Sequence, residues 1–253
     1  MKVSIITVSY NSEDTLEDTI KSVGSQDYPD IEYLIIDGES TDGTLSLVEK
    51  YKDKIAKVVS EPDQGMYDAL NKGIELASGD LIGILNSDDY YTDQKVISDV
   101  VDKVKATKAD ACYGDLVYVD RHNLNKVKRF WKARKYRSNY FKWGWMPPHP
   151  TFFVKKSCYQ QYGKFNLNLF SAADYELMLR FIHKHEVKLA YLPRVIVKMR
   201  EGGMSNTNIL SRLRGNREDQ KAWRINGLKP NALTFFLKPF RKVLQFLPIR
   251  KGF

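Results

Sequence analysis

Carboxylates recur where short apolar runs end. Asp37 closes IEYLIID, Asp63 lies within SEPDQG, and Asp88 and Asp89 follow LIGILNS. Singly, an aspartate at such a place fits a turn or a helix cap. Gathered at one rim, these carboxylates would repel one another unless a cation sat among them. Oxygen ligands alone suit Mg²⁺ or Mn²⁺, and those ions in turn bind diphosphate oxygens. A nucleotide would have to be held this way, because the chain has neither G-x-G-x-x-G nor G-x-x-x-x-G-K-[ST] to cradle phosphates.

The pattern around these residues predicts how they are carried. Strands are expected at Val3–Val8, Ile31–Asp37, Lys57–Ser60, Asp80–Leu85 and Ala111–Val119, with helices at Leu45–Tyr51, Gly65–Leu76 and Asp93–Ala106 between them. Asn11 and Ser12 read as caps of a first helix, with Glu13 and Asp14 in its first turn. Such alternation predicts an α/β fold, a mostly parallel sheet with helices on both faces. Ligands then bind beyond the carboxyl ends of the strands, where the aspartates stand. Further on, a strand is expected around Thr151–Val154, a helix over Ala173–Lys184, two strands at Val187–Leu192 and Val195–Met199 parted by Pro193, and a basic helix across Ile209–Ile225.

The net charge of +9 conceals a division. Residues 1–110 carry 11 basic and 23 acidic side chains, residues 111–211 carry 18 and 6, and residues 212–253 carry 11 and 2. An acidic half that holds a cation thus joins a basic half suited to anions. Residues 121–142 hold nine basic side chains and no acid, with aromatic residues interleaved. That stretch fits a solvated loop, an acidic lipid surface, a pyrophosphate-linked acceptor or a nucleic acid. In the tail, Leu233, Phe236, Leu237, Phe240, Val243, Leu244 and Leu247 follow helical spacing, with Lys238, Arg241, Lys242 and Gln245 opposite. This is either an amphipathic helix on an anionic membrane surface, broken by Pro239, or a helix packed on the protein's own core. Two cysteines far apart, Cys112 and Cys158, exclude a disulfide framework and a structural zinc site. The short apolar N-terminal run predicts a cytoplasmic start, and no run is long enough to span a bilayer.

The segments TVSYNSEDTLEDTIKSV, LIIDGESTDGT, SEPDQGMYDALNKG and LNSDDYY resemble the nucleotide-sugar half of glycosyltransferase family 2, which has the GT-A fold. MPPHPTFF, SAADYELMLRF and REGGMS resemble the acceptor half of bacterial members that build exopolysaccharide, capsule or O-antigen. The resemblance covers about residues 1–205 and implies roles. Thr7, Ser9 and Tyr10 would lie against the nucleotide base and Asp37 would hydrogen-bond it. Asp63 would stand near base and ribose, with Asn71 and Lys72 facing the donor. Ser87-Asp88-Asp89 replaces a strict D-x-D, with Asp88 towards the ribose and Asp89 on the metal. Asp174 is implied as the catalytic base. Its place also fits a capping box with Ser171, and Glu176 is the neighbouring alternative. His149 would sit beside the acceptor, and Arg200 would meet the diphosphate or remain a surface charge. Gly202 and Gly203 would let a loop close over the donor and exclude water.

These readings combine into an inverting, Mg²⁺- or Mn²⁺-dependent transferase. It would move a sugar from a nucleoside-diphosphate sugar, UDP-linked, to a saccharide acceptor on polyprenyl pyrophosphate at the inner membrane face, without a nucleic-acid partner. Residues 1–120 would form the donor half, 121–205 the acceptor half of the same domain, and 206–253 a basic helical extension. The competing expectations are a nucleotidyltransferase, which would need a Gly-rich phosphate loop near the first strand, and a nucleic-acid-binding protein using residues 121–142 and the tail.

Overall fold

The computed structural model describes residues 1–202, 209–231, 233–235, 237–238 and 245. In chain order, β1 (Val3–Ser9), α1 (Leu16–Gly24), β2 (Ile31–Asp37), α2 (Thr44–Lys50), β3 (Lys57–Ser60), α3 (Met66–Leu76) and β4 (Leu81–Ile84) make the first half. Then come β5 (Asp89–Tyr91), α4 (Val96–Thr107), β6 (Ala111–Val119), β7 (Val127–Trp131), β8 (Phe153–Lys155), α5 (Lys156–Tyr162), α6 (Ala173–Met178), β9 (Leu189–Arg200) and α7 (Ile209–Ile225).

One sheet runs in the order β3-β2-β1-β4-β8-β6-β9-β5, with β7 added to β6. Strands β3, β2, β1 and β4 are parallel, as βαβ crossovers require. Beyond them the sheet is mixed: β8 runs antiparallel to both β4 and β6, and β5 antiparallel to β9. The parallel expectation therefore holds for the first half and for β6 against β9, while β5, β7 and β8 join the sheet antiparallel. Strand residues alternate between two cores. Ile6, Val8, Leu34 and Ile36 pack with Tyr67, Leu70 and Ile74 of α3 and with α6, whereas Val3, Ile5, Tyr33 and Ile35 pack with Leu16 and Ile20 of α1 and Val100 of α4. Helices thus cover both faces.

Four local departures have physical reasons. The expected strand pair around Pro193 is one strand, β9, and its register against β6 shifts between Tyr113 and Asp115. A proline cannot donate to the ladder, and the shift accommodates it. Strand β7 lies in the basic stretch because Arg129 stacks its guanidinium on the Tyr118 ring at 3.8 Å. A cation stacked on an aromatic ring takes a buried strand position usually given to an apolar residue. The helix expected over Ala173–Lys184 is α helical only to Met178 and continues as a π turn, Leu179–Lys184. Asn11 and Ser12 do not cap α1: Asn11 Oδ1 accepts Thr41 N–H, and Ser12 N–H donates to Thr44 Oγ1. Glu13 likewise accepts Gly43 N–H at the start of α2, so this loop braces its neighbour rather than its own helix.

Residues 233–238, as far as they are described, lie against the body of the protein. Thr234 Oγ1 donates to Lys142 O, and Lys238 Nζ donates to Asp219 at 2.6 Å while standing 3.7 Å from the Tyr175 ring centre. Gly144 permits this, because a Cβ there would stand 2.5 Å from Lys238 N. Lys238, expected on a face turned to lipid, therefore pairs inward. Most of the expected amphipathic helix, from Pro239 onwards, lies outside the described residues apart from Gln245. No helix among the described residues is long and apolar enough to cross a membrane.

Candidate functional site

The carboxyl ends of β1, β2, β3 and β4 form one edge, and the register sets Ser9, Asp37 and Ser60 side by side on it. Asp37 is fully buried, and four internal donors use its oxygens. Ser9 Oγ and Ser40 Oγ donate to Oδ1 at 2.8 and 2.6 Å, and Ser40 N–H and Ser60 Oγ to Oδ2 at 2.8 and 2.9 Å. These donors match the roughly four lone-pair sites of a carboxylate. Asp37 thus ties three strand ends together. Thr7 and Ser9, expected beside the base, are buried and bonded to Tyr33 and Asp37.

Tyr10, by contrast, is 65% exposed. A Cβ added at Gly38 would stand 2.6 Å from Asp63 Oδ2 and 3.4 Å from the Tyr10 ring, so a glycine lets the ring and the carboxylate close up. Gly65 N–H holds Asp63 Oδ1 at 2.7 Å. An exposed aromatic face beside a fixed acceptor suits a flat heterocycle with an N–H edge. Asn71 and Lys72 stand behind this platform. Asn71 clamps the Phe165 backbone through two bonds of 3.0 and 2.9 Å, and Lys72 holds Pro62 O and Glu61. In this arrangement both position loops beside the site at which they are expected to face the donor.

Asp88 and Asp89 differ sharply. Asp88 is partly exposed, and burial raises its pKa against the opposing pull of Arg200, Arg121 and His149. Asp89 opens β5 and is 0% exposed. Burial first, then the Asp88 charge, raises its pKa well above the ordinary value. Asp88 lies in the turn that leads into β5, so a cation approaching from solvent meets Asp88 first, with the buried Asp89 behind it. The neighbourhood still fits a cation: Asp89 Oδ1 and Asn86 Oδ1 are buried without a hydrogen-bond partner. No cluster of three metal-ligating side chains exists among the described residues. A divalent ion held by one or two carboxylates and by substrate phosphates needs none.

Arg200 is 4% exposed; its guanidinium donates to Asp88 O at 2.7 Å and pairs with Asp18. It braces the Asp88 turn from inside and is not an ordinary surface charge. Gly202 has a φ of +111° beside Arg121, and Gly203 lies outside the described residues.

Asp174 stands in the first turn of α6, and the capping box is not formed. Ser171 instead gives its N–H and Oγ to Glu218 Oε2 on α7, at 2.7 and 2.9 Å. Asp174 is left to face Tyr67, whose hydroxyl donates to Oδ1 at 3.3 Å, and His149, whose Nδ1 lies 3.5 Å from Oδ2. Burial holds the His149 pKa low, while Asp174 and Asp88 both pull it up, so the imidazole lies within reach of both charges. Glu176 is 2% exposed and paired with Arg180 and Asn226, which removes it as an alternative base. Tyr67 escaped the sequence reading although it lies inside SEPDQGMYDALNKG; only its contact distinguishes it from a core tyrosine.

An edge that presents an aromatic ring and a carboxylate, next to Asp88 and across from Asp174, is the arrangement of a nucleotide-sugar transferase. The chain belongs to glycosyl transferase family 2, whose family model matches residues 4–162. It is a glycosyltransferase. An uncharacterized glycosyltransferase of Mycobacterium tuberculosis is 34% identical over 187 residues, which cover 70% of this chain and 68% of that one. A teichuronic acid biosynthesis glycosyltransferase of Bacillus subtilis, named TuaG with that role given as putative, is 40% identical over 97 residues, 37% of this chain and 38% of that one. TarS of S. aureus, solved with UDP-GlcNAc, superposes with a TM-score of 0.69 at 20% identity over 89% of this chain and 65% of its own. The mannosyltransferase PcManGT of Pyrobaculum calidifontis, solved with GDP-Man and Mn²⁺, gives 0.66 at 20% identity over 97% and 69%. The fold is GT-A.

Proposed function

We propose that this protein is an inverting, metal-dependent glycosyltransferase of cell-surface polysaccharide biosynthesis that uses a UDP-sugar. One observation carries the reading: Asp174, at the start of α6, has Oδ2 3.5 Å from His149 Nδ1 and accepts the Tyr67 hydroxyl on Oδ1 at 3.3 Å, so a carboxylate able to take a proton meets the donor half of the fold. The Tyr10 ring and Asp63 take the base. Asp88 holds Mg²⁺ or Mn²⁺, with Asp89 and Arg200 setting its charge from behind. A bound ion of this kind stabilises negative charge on a departing diphosphate. Asp174 accepts the proton of an acceptor hydroxyl. With Glu176 engaged by Arg180, Asp174 has no second free carboxylate beside it on α6, which favours one displacement with inversion over a covalent intermediate.

The donor class is supported by the ligands of TarS and PcManGT, and the acceptor class by the teichuronic acid role given to TuaG. Melting the protein with Mn²⁺ and each of UDP-N-acetylglucosamine, UDP-glucose and GDP-mannose tests the reading. A metal-dependent shift with one of them is expected; no shift with any would sink it. In the same assay Asp88→Asn should lose the metal-dependent part. Asp89→Asn should keep it and melt higher without ligand, by roughly 1–3 kcal/mol of relieved burial. The reverse pattern would return the metal to Asp89.

A lipid-linked acceptor at the membrane surface completes the proposal. It rests on the exposed cations Arg121, Lys126, Lys132, Arg134, Lys135 and Arg137, and on Arg241, Lys242, Arg250 and Lys251 in a tail without acids beyond residue 238. Deleting residues 239–253 should weaken co-sedimentation with anionic phosphatidylglycerol vesicles while preserving the Lys238 pair. Equal retention of the truncated and full chains would refute attachment through the tail.

A further inference from the structure

We propose that Tyr67 is a positioning residue that fixes the direction of Asp174 and links it to the donor loop. The inference rests on Asp174 being the proton acceptor and adds the group that aims it. Tyr67 sits in the first turn of α3, two residues beyond Gly65, whose N–H holds Asp63. Its ring is 8% exposed and stacks on Phe165 with centres 5.4 Å apart. Phe165 is fixed in turn by the Asn71 clamp. The phenol therefore has one direction, and its hydroxyl donates to Asp174 Oδ1 at 3.3 Å.

Asp174 needs this contact because its own helix does not hold it. The α6 N-terminus lacks a side-chain cap, and Ser171 is taken by Glu218. Among the described residues, Tyr67 donates to one carboxylate oxygen and His149 stands 3.5 Å from the other. Tyr67 is the one that reaches across from the donor half. Burial and the nearby Asp174 charge hold the phenol protonated above neutral pH, so its O–H is available to donate to the carboxylate. Only three residues separate Asp63, beside the proposed base platform, from Tyr67, beside the proposed base catalyst. A donor that settles the Asp63 loop settles the start of α3 as well, and through Tyr67 the carboxylate.

The test is Tyr67→Phe, which keeps the ring against Phe165 and removes only the hydroxyl. Release of nucleotide from the donor selected by the melting panel, with water as acceptor, gives the rate. We expect kcat to fall about tenfold with the donor KM and the melting temperature unchanged, since a hydrogen bond to a charged group is at stake. In an Asp174→Ala background the same substitution should cause no further loss, because residues acting through one another are not additive. An unchanged kcat in Tyr67→Phe overturns the proposal. So does an equal tenfold loss in the Asp174→Ala background, which would show the hydroxyl acting elsewhere. A fully active Asp174→Ala enzyme would instead remove the base assignment itself, and that result is visible without any Tyr67 variant.

Discussion

Asp174→Asn is expected to bind the nucleotide sugar as tightly as the native enzyme and to lose transfer by a factor of about 10²–10⁴. The expectation follows from where the carboxylate is held. Its two oxygens face Tyr67 and His149, and its helix is fixed by Glu218 without using Asp174. Asparagine keeps the size and can still accept the Tyr67 hydrogen bond, so neither α6 nor the donor platform at Tyr10 and Asp63 should move. What disappears is the capacity to take a proton. Donor affinity by calorimetry and sugar transfer by product analysis separate the two effects. An Asp174→Asn enzyme with native turnover would force the proton acceptor to be sought elsewhere, and Glu176 is not free to serve.

The second large effect is on stability. Asp37→Ala should cost about 3–5 kcal/mol, because it strands three hydroxyls and one N–H that now converge on a buried carboxylate. For a chain of this size that is a fall in melting temperature of roughly 10 °C. Ser9, Ser40 and Ser60 come from three segments, so the damage spreads through the edge that carries Tyr10, Gly38 and Asp63. Thermal unfolding measures the loss directly. A variant within a degree of the native protein would show that these hydroxyls find water or one another instead, and that Asp37 is not the knot of the edge.

The sequence made the skeleton readable. Strands β2, β3 and β6 and helix α7 fall on their expected bounds, because continuous β-branched runs and sharp turn signals leave little choice. The carboxyl-edge location of the aspartates was also legible, since it follows from parallel topology. Burial was not. Asp37, Thr7 and Ser9 look like ligand groups in a string of letters, and only packing shows that Asp37 also accepts from Ser9, Ser40 and Ser60 and that Thr7 accepts from Tyr33. Asp88 and Asp89 are adjacent and chemically identical, so their division of labour depends on β5, a three-residue strand too short to leave a periodic signal. Arg200 and Asn71 carry polar atoms suited to substrate, yet their partners come from segments far away in the chain, whereas Lys72 turns back onto Glu61 and Pro62 just before its own helix. The loss of the capping box at Ser171 could not be foreseen, because its competitor Glu218 lies 47 residues further on.

The inward turn of Lys238 has a practical corollary. Its ammonium sits on Tyr175, which immediately follows Asp174, and the fit depends on the absence of a side chain at Gly144. A protease cut between Lys229 and Leu233 would therefore free the segment that covers the rear of α6 and take the Lys238 ammonium away from Tyr175 and Asp219. Chains shortened to end before residue 238 would lose the same support, and sluggish turnover in them would mimic an active-site lesion.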